Sequence, residues 1–454
     1  MSDFRLKRGF DIKLVGEAEK RVVDLPAPRL VAIKPSDFKG LKAKLEVHEG
    51  DAVKCGTPLF YAKSNPDIKF VSPVSGTVKA VKRGERRALM EIIIENDGKD
   101  SGEALEVPGR EGIKSAGREK LQALMMQGGV WPFIIRRPFG KMALGDDAPR
   151  DIFISGMDTG PLAADMALVM QGLEDDFQAG IDALAQMTGG KVYLSLDANA
   201  RDAVAAFSQA AGVEKNYFSG PHPAGNVGVQ IHHIKPIKSG EVVWTVKPYG
   251  VAMIGRFLKT GLFPQERVVA VAGSSVKEPV HYKTVTGTSL EDLFAQNGVT
   301  DEEPRYISGN VLTGSRVLKS GFVGFYDNLI SVIPEGPKER KLLGWYLPGF
   351  KELSHSRTFM SRWFPSKAYK VNTLLHGADR AFVMTGDYES VLPMDIYPVF
   401  LVKSVLANDF EEMEGLGILE LDEEDVALCS YICPSKFDFG GAIRQGLDII
   451  EKEG

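Results

Sequence analysis

The stretch from Leu45 to Val81 constrains the fold of this chain more than any other. It reads Leu45-Glu-Val-His-Glu-Gly-Asp-Ala-Val-Lys-Cys-Gly-Thr-Pro-Leu-Phe60, then a polar tip, then Lys69-Phe-Val-Ser-Pro-Val-Ser-Gly-Thr-Val-Lys-Ala-Val81. Apolar residues alternate with polar ones in each half, the period of a strand that buries one face. Gly50-Asp51, Gly56-Thr57-Pro58 and Ser75-Gly76 supply the positive or preset φ that tight turns need. The spacing predicts two matching β half-units joined by an exposed hairpin.

A chain of 454 residues exceeds one core, and about three domains are expected on length alone. The net charge of -5 excludes the dense basic surface that non-specific nucleic-acid binding needs, so no nucleic-acid partner is expected. Met1-Ser-Asp-Phe-Arg-Leu-Lys-Arg8 has no apolar stretch of signal-peptide length, and export is not expected. A membrane span needs roughly 20 apolar residues. Arg256 and Lys259 break the candidate at 249–263, and Pro393, Asp395 and Lys403 break the one at 391–406. Three cysteines, Cys55, Cys429 and Cys433, are too few for a disulfide framework and fit a reducing cytoplasm.

Four segments follow from the patterning. Residues 1–100 are strand-rich, with Leu30-Val-Ala-Ile33 and a returning strand Ala88–Ile94 before the turn Asn96-Asp-Gly98. Residues 101–265 open with a helix at 119–126 that stops at Gly128-Gly129. Strands at 151–155, 191–196, 215–218 and 242–246 then alternate with helices from Pro161 and Ala200, which predicts a parallel, doubly wound sheet. Residues 266–334 return to β, with strands at 267–272 and 280–285 and one short helix from Ser289, an α+β module. Residues 335–454 are mainly helical from Asp395 onward, and the acidic run Asp409–Asp425 reads as a solvated face.

Several stretches bear on chemistry. Gly156-Met-Asp-Thr-Gly160 follows a strand and precedes Pro161, where backbone N–H groups could hold a phosphate, although no Walker lysine follows and Asp158 adds a negative charge. In Gly128-Gly-Val-Trp-Pro-Phe-Ile-Ile-Arg-Arg-Pro-Phe139, the rings of Trp131, Phe133 and Phe139 stand beside Arg136 and Arg137. They could receive a flat ring with carbonyls, such as a quinone, or form an aromatic plug with surface arginines. Cys429-Ser-Tyr-Ile-Cys-Pro434 keeps only the last part of an iron–sulfur run, and Cys55 is the one further thiol, so buried structural thiols or a site completed by a partner are the alternatives. His232 and His233 are adjacent, point apart on a regular element and have no zinc spacing, so no metal is expected. No nucleophile elbow or Cys–His pairing is present, so no catalytic residue is assigned.

The Leu45–Val81 pattern resembles the biotinyl/lipoyl carrier domain, whose hairpin lysine bears the swinging cofactor. Counting back from Gly76 places Asn65 where that lysine should stand, with Lys63 and Lys69 out of register. The 128–139 stretch resembles the flavin-wrapping loop of the flavin subunit of complex I and of the Rnf complex C subunit. Val130, Trp131, Phe133, Ile134 and Ile135 fill what is open there. Gly220-Pro-His-Pro-Ala-Gly225, Met157–Ala163, Val332-Ile-Pro-Glu-Gly336, Leu343-Gly-Trp345 and Cys429–Pro434 together resemble the A subunit of the Na+-translocating NADH:quinone oxidoreductase along essentially the whole chain. That resemblance implies a biotinyl/lipoyl-like β-sandwich, a Rossmann-like sheet, a β-grasp domain of the soluble-ligand-binding type and a helical end. It further implies a peripheral subunit on the cytoplasmic face of a bacterial inner membrane, against the B and C subunits. No flavin, iron–sulfur cluster or metal is expected in the chain itself, and ubiquinone is a possible ligand. The alternative is a flavin- or iron–sulfur-bearing electron-input subunit.

Overall fold

In the computed structural model, which describes residues 2–99, 101–336, 348–356, 359–378, 380–382 and 386–453, the Leu45–Val81 stretch folds as two small facing sheets. One contains β3 (Leu30–Ile33), β9 (Leu89–Asn96), β8 (Gly76–Arg83) and β5 (Ala52–Val53), and the other β4 (Ala43–Leu45), β6 (Pro58–Ala62) and β7 (Asn65–Val71). Leu59, Phe60, Ile68, Phe70, Val78, Ile92 and Ile94 are buried, and Phe60 stacks on Phe70 with ring centroids 4.5 Å apart. Gly76 is required by close approach, since a Cβ there would meet the Glu95 carbonyl oxygen at 2.0 Å. The hairpin turns through Lys63 and Ser64, with Ala62 paired to Asn65. Lys63 and Ser64 at the turn are exposed, while Asn65 packs beside Gly145, where a Cβ would lie 2.8 Å from its Nδ2, and the far end of β7 packs on Gly129, where a Cβ would lie 2.6 Å from Val71.

The second sheet has seven strands in the order β1 (Ser2–Arg5), β14 (Glu214–Ser219), β13 (Val192–Asp197), β12 (Ile152–Ser155), β15 (Val243–Val246), β10 (Ile134–Arg137) and β11 (Lys141–Met142). From β1 to β15 neighbours run parallel, as the β/α alternation predicts. Two features differ from the expectation. The β10–β11 hairpin adds an antiparallel edge, and the amino-terminal strand closes the opposite edge instead of joining the 30–96 strands. Helices Glu174–Leu184 and Pro248–Thr260 cross closely at Gly180 and Gly255. No helix starts at Pro161 or Ala200. Asp158 accepts from the Gly160 amide at 2.8 Å and Leu162 sits at φ +60°, which bends the chain, so helix begins at Met166 under an Asp165 cap. The later one spans only Ala205–Ser208.

A six-stranded sheet follows, in the order β19 (Ser315–Val317), β18 (Pro304–Ser308), β20 (Leu329–Pro334), β16 (Glu266–Ala272), β17 (Val280–Val285) and β2 (Glu19–Asp24). Ser289 caps the short helix Leu290–Leu293, accepting from the Asp292 amide at 3.1 Å. The carboxy-terminal part contains helices Pro398–Ala407, Phe410–Gly415, Ala427–Ile432 and Phe439–Glu453. The acidic run is not a uniform solvated face. Glu411 and Glu412 are exposed, whereas Asp422 and Asp425 are buried. Leu343-Gly344-Trp345 lies outside the described residues. Among the described residues no helix is long and apolar enough to cross a membrane.

Candidate functional site

The seven-stranded sheet reverses its order at β12. The chain first proceeds outward from β12 through β13 and β14, then returns to lay β15 on the other side of β12. In open α/β sheets the carboxyl ends of the two strands flanking such a reversal diverge and leave a crevice for ligands. Here Ser155 at the end of β12 with Met157 after it, and Val246 at the end of β15 with residues 247–250 after it, open onto a cavity of about 380 Å³. Its other walls come from Asp37 and Lys39, from Ser308, Asn310 and Asp327 of the six-stranded region, and from Asp422 and Glu424. Every major part of the fold thus contributes to one cleft.

The 131–139 residues divide around it. Phe133 and Arg137 line the cavity; Trp131, Arg136 and Phe139 do not. Trp131 is fully buried, donates from Nε1 to the Ala143 carbonyl at 2.8 Å and meets Trp244 edge to face, so both its polar edge and its faces are occupied by core. Arg136 lies over the Phe139 ring at 5.4 Å and near Asp147 at 3.7 Å. Phe133 stacks on Phe325 at 4.9 Å, with Tyr249 edge-on at 6.5 Å. Gly128 is explained by packing, since a Cβ there would strike the Phe257 ring at 2.0 Å.

Arg137 is the electrostatic centre of one wall. Its guanidinium reaches Asp422 at 3.3 Å, Asp425 at 3.0 Å and the Glu420 carbonyl at 3.1 Å, tying β10 to the carboxy-terminal helices. Burial opposes the charge of Asp422, but Arg137, Lys39 and Arg444 outweigh it and hold this carboxyl below the usual range. Burial pushes Asp425 the other way. Glu424 faces the cavity, and burial together with the Asp425 and Asp422 charges pushes its carboxyl up to about 7. A folded-state pKa above the unfolded value means that the native state holds its proton more tightly. The resulting stabilisation is present at acid pH and is lost as pH rises toward 7. We expect wild-type Tm to fall across that window by more than that of Glu424→Gln, as read by thermal scans at pH 5 and 8.

The cysteines do not form a cluster. Cys429 and Cys433 are buried among aromatic rings, with the Tyr388 hydroxyl 3.1 Å from Cys433 Sγ, and burial pushes the Cys429 thiol far above its ordinary value. Cys55 donates to the Phe263 carbonyl at 3.5 Å, far along the chain from the other two. Among the described residues no group of three or more His, Cys, Asp or Glu side chains could hold a metal ion. His232 bonds Glu420 at 2.8 Å and His233 bonds the Pro393 carbonyl at 2.8 Å, with ring planes 85° apart. The Gly156–Gly160 turn borders the cleft but leads into no helix start, so it is not the phosphate cradle considered from sequence.

Lys247, Tyr249, Arg267 and Glu424 lie on the cleft and were not singled out from sequence. Two signals were available. Pro248, one residue after an apolar strand, marks a helix start, and Arg267 is a charge opening the otherwise apolar run Arg267-Val-Val-Ala-Val-Ala272.

Three family models match the chain: the NqrA N-terminal barrel-sandwich hybrid domain over residues 4–97, the NqrA second alpha/beta domain over 116–263, and the NQRA C-terminal domain over 268–319. The chain is 38% identical over 451 residues to the A subunit of the Na(+)-translocating NADH-quinone reductase of Neisseria meningitidis serogroup B, covering 99% of this chain and 100% of that one. It is 39% identical over 453 residues to the A subunit of the Rhodopirellula baltica reductase, covering 99% and 98%.

Proposed function

This chain belongs to the family of the A subunits of the Na+-translocating NADH-quinone reductases, and from that membership we propose that it is a peripheral subunit on the cytoplasmic face of the membrane. In this reading it docks on the B and C subunits of the membrane complex, and supports electron transfer from NADH to ubiquinone coupled to sodium export. It bears no redox cofactor of its own and contributes to quinone binding. The observation that carries the reading is identity to relatives of that name along 99% of the chain. The Phe257 ring packed on Gly128 and the burial of Cys429 and Cys433 support a chain that acts through its surfaces and not through a bound redox group. Phe133 is the residue of the 131–139 set best placed for a quinone ring, because it lines the cleft beside Tyr249.

Two measurements test this. The purified chain is expected to show no visible absorption after anaerobic isolation; a flavin or iron–sulfur spectrum would overturn the cofactor-free reading in favour of an electron-input role. In the assembled complex, a photoreactive quinone analogue is expected to label peptides around Phe133. Label confined to other subunits would leave this chain a scaffold.

A further inference from the structure

Arg267 is 4% exposed and lines the cleft, yet its guanidinium makes no hydrogen bond or ion pair among the described residues. Its Nε and Nη1 are enclosed without an acceptor, and its planar group lies over the Tyr249 ring at 4.8 Å. The nearby acids Asp327 and Asp37 favour its charge through space but make no hydrogen bond or ion pair with it among the described residues, their oxygens being engaged elsewhere. Asp37 accepts from the Phe325 amide at 2.8 Å and sits 3.4 Å from Lys34, and Asp327 accepts from the Ser308 hydroxyl at 2.6 Å. A buried arginine normally has an anionic partner, because an uncompensated charge away from water is costly.

A second observation converges on the same place. The helix Pro248–Thr260 begins at the cleft, where Lys247, Pro248, Tyr249 and Gly250 all line it. The first amides of a helix have no intrahelical acceptor, and the aligned peptide dipoles favour negative charge there. Lys247, the residue before the helix, is exposed, and among the described residues its ammonium bonds the Tyr326 carbonyl alone, at 3.3 Å.

We propose that Arg267, Lys247 and the amino terminus of the 248–260 helix form a binding site for an oxyanion, the phosphate or carboxylate of a small organic ligand. Arg267, held flat by Tyr249, offers donors in the fork geometry that matches such a group. The helix start and Lys247 add charge from the carboxyl end of β15, and the remaining volume, about 380 Å³ in all, takes the organic part. The site shares the cleft and Tyr249 with the quinone reading but differs from it in chemistry, because a quinone ring carries no anionic group to satisfy Arg267.

The test is thermal unfolding of the full chain with inorganic phosphate or benzoate, against chloride at equal ionic strength. At least one probe is expected to raise Tm in a saturable, concentration-dependent way. Arg267→Met and Lys247→Glu are each expected to weaken that response about tenfold or more. Lys247 is exposed, so its variant keeps the fold, and it decides alone if Arg267→Met does not fold. No response to either probe, or a response that a folded variant retains in full, overturns the site. Retained quinone labelling in the Lys247→Glu complex would show that loss of the anion response leaves the quinone reading intact.

Discussion

Arg137→Met is expected to lower the free energy of unfolding by about 3–5 kcal/mol, the cost of stranding a buried charge after its partner is removed. Arg137 and Asp425 side chains are 2% and 0% exposed, and the pair is held at 3.0 Å. Methionine fills much of the same space, so the loss isolates charge and hydrogen bonding from packing. Among the described residues the remaining Asp425 carboxylate keeps the Asp422 amide at 2.9 Å and the Asn226 side-chain amide at 3.4 Å as its donors. Burial already pushes the Asp425 carboxyl up, and removing the guanidinium pushes it further. The deficit is therefore expected to be smaller at pH 5 than at pH 8, because protonation removes the stranded charge. Urea unfolding at both pH values measures it. A loss below about 1 kcal/mol at pH 8, the range of a solvent-screened pair, would show that water reaches the cluster.

The second large effect is expected at the crossing of helices Glu174–Leu184 and Pro248–Thr260. A Cβ on Gly180 would lie 1.9 Å from the Val251 carbonyl oxygen, and one on Gly255 would lie 1.9 Å from that of Asp176. Both obstacles are backbone, so no side-chain rotation relieves them. Glycine to alanine inside a helix ordinarily gains about 1 kcal/mol. Here the sign reverses, and each single substitution is expected to cost about 2–3 kcal/mol by forcing the helices apart. The double variant should cost clearly less than the sum, since the first methyl has already opened the gap that the second needs. Additive losses would mean that the helices tilt locally at each site instead of separating.

Sequence patterns exposed what is local. The glycines and prolines of 45–81, the Ser289 cap and the four strands β12, β13, β14 and β15 of the seven-stranded sheet are written within a few residues of where they act. What stayed hidden depends on partners remote in sequence. The β10–β11 edge runs antiparallel because a short turn at Pro138–Gly140 joins it, which strand and helix alternation does not encode. Asp422 and Asp425 look like members of a solvated acidic run until Arg137 is seen to reach them. Gly128 and Gly129 look like a loop built to approach a phosphate, whereas Phe257 and Val71 occupy the space beside them. In the cleft, Phe133 and Arg137 were legible as an aromatic beside a cation. Arg267 was not, because its lack of a partner is a property of its surroundings and not of its neighbours in the chain.

The pairing of the first two strands bears on how the chain is made. Ser2–Arg5 pairs with Asn216–Ser219, and Glu19–Asp24 with Val280–Lys283. During synthesis the first strand therefore emerges roughly 200 residues before its neighbour, an interval of about 10–40 s at ordinary elongation rates. The 30–96 sheets can close in that time, but the leading 24 residues hold unpaired backbone until translation is well past the middle. Both larger sheets are thus completed by strands made long before the segments they pair with.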